Sequence, residues 1–387
     1  MHNNTIILFA HNAFNGPFLP SFITYCTTEK HTILIYDPFT CLLFDGNNIT
    51  TPYETNVIKI LRKIPLIKKV ITYFLKIRFL KEISKDGSII HIHYCHEKYL
   101  SYYTFFKKYK IPLIISIWGS DYYRISEYLR IKQRNLYEYA EAITFANTNT
   151  MNDFITFYGP HFKGKCYNIR LGLDSLNTIQ RRLLQNNSPI HIKTRLQLPT
   201  DKIIVSCGYN ANVEQQHVEI LEALNELSGE MKKQIHLLFP LTYPSISRNY
   251  YSEIKNKAAD YGFSFTLFDT YLSNESIAEI RIASDIFINM QTTDQFSASM
   301  QEYLFCGTIV MNGSWLPYSD LSTEGIFFIN ISSFADLSRS LSEIIDNYDT
   351  YKVKCAQNKN IIWRVSSWES VTKSWVSLYN RFTGIKY

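Results

Sequence analysis

Residues 290–311 read MQTTDQFSASMQEYLFCGTIVM, and their pattern decides how the chain folds. The run before them, Asp285-Ile286-Phe287-Ile288-Asn289, has the length and branching of a buried strand. From Ser297 onward the apolar spacing becomes helical, at Met300, Tyr303 and Leu304. A Cys306-Gly307 stop then leads into Thr308-Ile309-Val310-Met311, a second strand-like run. Strand, loop, helix, strand is the repeating unit of a parallel sheet, and open sheets of that kind hold ligands at the carboxyl ends of their strands. Two acids, Asp294 and Glu302, stand eight positions apart in this loop and helix. Free N–H groups at a helix N-terminus suit an anion, and a carboxylate one turn in can accept sugar hydroxyls.

The same alternation runs outward in both directions. Towards the C-terminus lie the apolar run 325–329 and a helix over 334–348. A final helix over 368–382 carries Trp368, Val371, Trp375, Leu378 and Tyr379 on one stripe, which could pack back across both domains. Towards the N-terminus lie strands at 264–268, 235–239 and 202–206, and a helix over 273–283 with Ser273 as its cap. The strand 202–206 ends in Cys207-Gly208-Tyr209-Asn210, a glycine loop before a helix that suits a phosphate held by backbone N–H groups. Residues 177–195 are polar and basic without a strand pattern, and the inter-domain linker is expected there.

In the first half, strands are expected at 5–10, 31–36, 88–93, 112–117, 143–147 and 166–170, with a helix at 20–27. The loop after the first strand contains Gly16, which would let backbone approach a phosphate or sugar; an ordinary βα turn is the other reading. His91, His93 and His96 cluster at the end of the 88–93 strand. They could be metal ligands, a general base (His96 or His93), or simply polar strand residues; no acidic partner or metal-type spacing favours the first. Asp121, in Trp118-Gly119-Ser120-Asp121, is placed to read hydroxyls, with Arg124 nearby to orient it, or to cap the next helix.

Residues 57–86 hold nine basic residues and two acids, a net +7 that exceeds the +6 of the whole chain. Pro65 divides them into two pieces, each expected to be apolar on one side and basic on the other. Lys59, Arg62, Lys63, Lys68 and Lys69 could meet an anionic membrane surface; the alternative is a helix over the sheet with a solvated basic face. Nucleic acid is a poorer fit, because no groove-reading motif or base-stacking pattern is present.

At 387 residues the chain exceeds one ordinary core and argues for roughly two or three domains. Seven scattered cysteines without C-x-x-C spacing read as reduced thiols of a cytosolic protein. The N-terminal apolar run is too short for a signal peptide, and no stretch reaches the ~18 residues of a membrane span. A cytoplasmic protein, peripheral on the inner face of the cell membrane, is expected.

Asp294-x₇-Glu302 followed by Tyr303-Leu304-Phe305-Cys306-Gly307-Thr308 resembles the E-x₇-E and A-C-G-x-P elements of glycosyltransferase family 4. Trp118-Gly119-Ser120-Asp121 is similar to its H-G-S-D, and Leu171-Gly172-Leu173-Asp174 to its N-G-V-D. Gly208 and His217 match its G-R…K-G-H element. Pro240-Leu241-Thr242-Tyr243-Pro244 is similar to the P-L-S-Y-P of bacterial enzymes that transfer acetamido-fucose from a TDP donor to lipid-linked saccharides. The chain therefore resembles the GT-B glycosyltransferases. That resemblance implies two Rossmann-like parallel-sheet α/β domains facing a central cleft, with the C-terminal helix packing back across them. The expected divisions are 1–175 on the acceptor side, a linker at 176–198, the nucleotide-sugar domain at 199–365, and a crossing helix at 366–387.

The resemblance also implies roles. Glu302 would bind the donor ribose, and Asp294 would sit beside the donor sugar, with Asp121 and His96 as further catalytic candidates. Gly16, Gly208, Tyr209, Asn210 and Arg248 complete the donor-binding candidates. The substrates would be a nucleotide-diphosphate sugar and a lipid-linked or saccharide acceptor, in the synthesis of O-antigen, capsule or a related bacterial glycan. With no D-x-D-type acidic pair, neither metal nor cofactor is expected. The chain departs from the family at Tyr209, Gln215 and Gln216, which are uncharged where an Arg and a Lys normally face the diphosphate, and at Trp118 in place of His. Backbone N–H groups of residues 208–211, aided by Arg248 or Arg281, would have to serve instead. A nucleotide-sugar epimerase and a non-catalytic partner subunit with a decayed donor site are the alternative functions.

Overall fold

A computed structural model describes residues 5–10, 18–185 and 188–383, the side chains of Phe18 and Asp320 excepted. Gly16 lies outside the described residues. The chain divides into two compact units, Met1–Gly172 with Trp368–Tyr387, and Leu173–Ser367.

The first unit is built on strands β1 (Thr5–Phe9), β2 (Thr32–Asp37), β3 (Leu42–Phe44), β4 (Ile49–Thr50), β5 (Ile89–His93), β6 (Leu113–Ser116), β7 (Ala142–Phe145) and β8 (Cys166–Asn168). Their order is β4-β3-β2-β1-β5-β6-β7-β8. All pairings are parallel except those of β3 and β4, an antiparallel hairpin at one edge. The parallel strands are Ile-rich because both faces are covered, so no polar alternation is needed. Ile7, Phe9, Ile90 and Ile92 point to one face, where Phe79 and Ile83 of the helix Pro65–Lys85 pack. Ile6, Leu8, Ile89 and Ile114 point to the other, against Phe22 of the helix Phe18–Cys26 and against Trp368, Trp375 and Tyr379 of the helix Trp368–Thr383. The whole expected stripe of this last helix is buried in the first unit. A Cβ on Gly172 would lie 2.2 Å from the Trp368 ring, so the indole fits only over glycine.

The second sheet contains β9 (Ile203–Cys207), β10 (Ile235–Pro240), β11 (Phe265–Phe268), β12 (Ile286–Asn289), β13 (Ile309–Gly313) and β14 (Ile329–Ile331). The order is β11-β10-β9-β12-β13-β14, parallel throughout. The apolar run 325–329 pairs only from Ile329, because the Asn358 side chain bonds both the N–H and the carbonyl of Phe327.

The stretch expected as a linker, 176–198, differs most from its reading. It contains most of the helix Asp174–Leu184 and all of the helix Pro189–Arg195, both within the second unit. Three of their basic side chains are paired with acids: Lys193 meets Asp285 at 2.8 Å, and Arg195 and Arg182 meet Glu279 at 2.9 and 3.6 Å.

In each sheet the strand order reverses once, between β1 and β5 in the first and between β9 and β12 in the second. Open α/β sheets part their loops at such points, which is where ligands enter.

Candidate active site

At the second reversal, β9 is followed by Gly208, whose φ of +64° is left-handed. A Cβ there would also lie 2.7 Å from His217 Nε2, so conformation and space both require glycine. The loop that follows is stapled to the loop after β12. Gln215 Oε1 accepts from the Tyr209 N–H (3.1 Å), and its amide donates to Gln291 Oε1 (3.0 Å), which also accepts from the Tyr209 hydroxyl (3.3 Å). Gln216 donates to the Met290 carbonyl. The uncharged residues Tyr209, Gln215 and Gln216 thus hold two loops together.

This geometry changes how a diphosphate could be held. The N–H groups of Gly208, Tyr209 and Ala211 are spent on the Ile288 carbonyl, Gln215 and the Tyr243 carbonyl. Asn210 is buried, and its side chain accepts from the Asn212 N–H (2.9 Å). Arg281 is spent as well: its guanidinium donates to Glu302 Oε2 (2.9 Å), the Tyr303 hydroxyl (2.8 Å) and Ser299 Oγ (2.9 Å), all buried. The expected amide cradle at 208–211 and the phosphate role of Arg281 are therefore not available. What remains is the first turn of the helix Ala298–Phe305, where Ser297 caps only the Met300 N–H, together with Arg248. Arg248 is exposed and lines a recess of about 570 Å³ at the ends of β10 and β11, with Tyr243, Asp269 and Tyr271.

The two acids of residues 290–311 are held differently. Glu302 sits in the helix, buried, with Oε2 on Arg281 and Oε1 accepting no hydrogen bond from the described residues. Asp294 receives the Tyr318 hydroxyl and the Gln291 amide on one oxygen and the Gln295 N–H on the other. Desolvation pushes the Asp294 carboxyl up, opposed by the Tyr318 hydroxyl and the Gln295 N–H. Two residues on, Phe296 adopts φ +140°, a strained conformation for a bulky side chain of the kind that clusters at ligand sites. Gln291 and Tyr318 escaped the sequence reading, as did the pairing of Arg281 with Glu302. The only signal for them is position, since Gln291 lies two residues past β12 and Arg281 in the last turn of the helix before it.

In the first unit, Asp121 is buried and bridges two loops. Oδ2 accepts the Cys95 N–H (2.7 Å) after β5, and Oδ1 the Trp118 N–H (2.9 Å) after β6. Burial pushes its carboxyl up to about 6 despite those donors. It lies inside the short helix Ser120–Tyr123, whose N-cap is Gly119, so it is not the cap. His96 Nδ1 accepts from the Lys98 N–H (3.1 Å), which puts the proton of the neutral ring on Nε2. Nε2 is then a donor, not a base. His91 bonds Tyr379 and Ser116, and His93 is buried among aromatic rings and held neutral, with burial lowering it to about 3. Among the described residues, no three His, Cys, Asp or Glu side chains are grouped to share a metal ion.

The basic segment is two helices, Asn56–Leu61 and Pro65–Lys85, meeting at Pro65 as expected. Its division is lengthwise rather than side to side. Leu75, Phe79, Leu80 and Ile83 are buried, whereas Val57, Ile60, Leu66, Val70 and Phe74 are exposed beside Lys59, Lys63, Lys68 and Lys69. Arg62 is tied to Glu54 and the Thr40 carbonyl. No helix among the described residues is long and apolar enough to cross a membrane.

Two open parallel sheets, each with ligand-type loops at its reversal, define the GT-B fold, and solved glycosyltransferase structures share it over nearly the whole chain. Sucrose-phosphate synthase from Thermosynechococcus elongatus superposes with a TM-score of 0.73 at 13% identity, covering 98% of this chain and 99% of that one. A glycosyltransferase from Rickettsia africae gives 0.70 at 14%, covering 99% of each. Anabaena HepE, solved with UDP and glucose, gives 0.70 at 11%, covering 98% of this chain and 100% of that one. No protein-family model matches the sequence, and no curated protein matches it. At these identities the likeness is one of fold.

Proposed function

We propose that the protein is a metal-independent glycosyltransferase that moves a sugar from a nucleotide-diphosphate donor to a lipid-linked or saccharide acceptor. The observation that carries this reading is Glu302. It presents one carboxylate oxygen with no hydrogen-bond partner among the described residues while Arg281 fixes the other. A clamped carboxylate at the reversal of a parallel sheet suits a pair of ribose hydroxyls. HepE has been solved with UDP-glucose in the same fold, which supports a nucleotide-sugar donor. The recess of Tyr243, Arg248, Asp269 and Tyr271 would take the base and part of the diphosphate, and the first turn of the helix Ala298–Phe305 the remaining phosphate charge.

Asp294 is our candidate for the carboxylate beside the donor sugar, and Asp121 with the Nε2–H of His96 for acceptor-side contacts. Catalysis would come from orientation and from stabilising charge on the leaving diphosphate. The exposed apolar and basic half of residues 57–74 supports docking to an anionic membrane at its cytoplasmic face. That position suits a lipid-linked acceptor and a role in bacterial surface polysaccharide synthesis.

A panel of nucleotide-diphosphate sugars read by thermal shift tests the assignment. The right donor at about 100 times its Kd stabilises by about 2.7 kcal/mol, a shift of several degrees. Glu302→Ala should abolish it; an unchanged shift in a folded variant removes the ribose role.

A further inference from the structure

The helix Pro65–Lys85 places its residues in an order that is unusual for a water-exposed helix. Phe79 and Ile83 lie on its core-facing row. Continued backwards at steps of three and four, that row is Lys76, Thr72, Lys69 and Pro65. Leu75 and Ile71 keep the contact with the core, the lysine row runs beside them, and the apolar residues Leu66, Val70 and Phe74 lie on a different row, 79%, 55% and 64% exposed. The lysine row meets the core at Lys76. It lines a recess of about 890 Å³ with Arg62, Lys63, Lys68 and Tyr73, and no carboxylate is in the wall. Glu54 answers Arg62, but Lys63, Lys68, Lys69 and Lys76 have no acidic partner among the described residues. Lys76 is half-buried, with its ammonium 4.5 Å from the centre of the Tyr102 ring. Like charges gathered around one recess repel each other unless an anion sits among them.

We propose that this overhang is a lipid-headgroup site, in which Leu66, Val70 and Phe74 enter the apolar edge of a bilayer while Lys63, Lys68, Lys69 and Lys76 enclose a headgroup phosphate. Four cations around one recess select a headgroup of more than one charge, a phosphomonoester or diphosphate, over a phosphodiester. The proposal rests on the membrane docking put forward above and adds to it a built pocket with a stated ligand chemistry. A diffuse basic surface would respond to total charge; a pocket responds to where the charge is removed.

The test uses the purified full chain and two sets of phosphatidylcholine vesicles, one with phosphatidic acid and one with phosphatidylglycerol, matched in surface potential. Binding to the phosphatidic acid vesicles should be about fivefold tighter or more, the order of one additional Lys–headgroup contact. Lys76→Met should lose about tenfold on those vesicles. Lys81→Met, an exposed lysine of the same helix outside the recess, should lose less than about twofold. Phe74→Ser should weaken vesicle binding yet keep the affinity for inorganic pyrophosphate measured by calorimetry. Equal losses for Lys76→Met and Lys81→Met, or equal binding to both vesicle types, would overturn the pocket, with circular dichroism confirming that each variant is folded. The donor thermal shift separates the two readings. If it persists while vesicle selectivity is absent, the headgroup site alone falls. If it is absent while selectivity holds, the transferase reading falls and the headgroup site stands.

Discussion

The two units each keep a buried carboxylate near the point where their strand order reverses, and hold it by opposite means. Glu302 is anchored by the guanidinium of Arg281, which itself is braced by Tyr303 and Ser299. Asp121 is anchored by two backbone N–H groups, those of Cys95 and Trp118. A guanidinium carries a full charge at any working pH, so the fork that orients Glu302 is present throughout. Backbone dipoles compensate burial only in part, and the Asp121 carboxyl rises to about 6. The first arrangement makes a clamp, and the second makes a brace between two loops whose strength depends on pH.

Removing the cation should have the largest effect. Arg281→Met leaves Glu302 buried without its partner, and breaking such a pair costs about 3–5 kcal/mol. Arg281→Lys should recover part of the stability but little donor binding, because an ammonium cannot reproduce the three-way fork. Urea unfolding with the donor thermal shift measures both. A cost below about 1 kcal/mol for Arg281→Met would show that Glu302 does not depend on the pair, and the contrast with Asp121 would vanish.

Asp121→Asn comes next. An amide turns its NH₂ group toward one of the two N–H donors, leaving a buried donor unsatisfied at about 1–3 kcal/mol. The pH dependence has a definite sign. The folded value of about 6 exceeds the ordinary 3.8, so the stability this carboxyl contributes is full below pH 3.8 and is lost as pH rises through 6. Two units correspond to roughly 3 kcal/mol. The penalty of Asp121→Asn should therefore be larger at pH 4 than at pH 7. Equal penalties in unfolding titrations at the two pH values would mean that backbone donors hold this carboxylate as firmly as Arg281 holds Glu302.

The fold was legible because the Ile-rich runs of β1, β5, β6, β9 and β12 leave little choice of element, and because Ser297 and Ser273 mark helix starts by side-chain chemistry. The hairpin β3–β4 was not, since strands of three and two residues carry no usable period. The supposed linker failed for another reason: Arg195 has the same composition whether it faces water or Glu279, and the partner lies 84 residues away. The site divides along the same line. Asp294, Glu302 and Gly208 stand in local motifs, whereas Arg281 meets Glu302 across 21 residues and the His96 proton is set by one N–H of the following turn.

The smallest expected effect tests whether the glutamines of the β9 loop are structural. Gln215 satisfies the Tyr209 N–H and reaches Gln291, which in turn donates to Asp294 (2.7 Å). Gln215→Ala removes two bonds of neutral type, and water can replace part of the loss, so about 1 kcal/mol of stability should go. If the loop serves only to position Asp294, kcat for transfer should fall with little change in donor KM, because Glu302, the residue we propose for the ribose, is untouched. A rise in KM with kcat unchanged would instead place Gln215 in contact with the donor. The uncharged loop would then be a binding element rather than the brace for Asp294 that its hydrogen bonds describe.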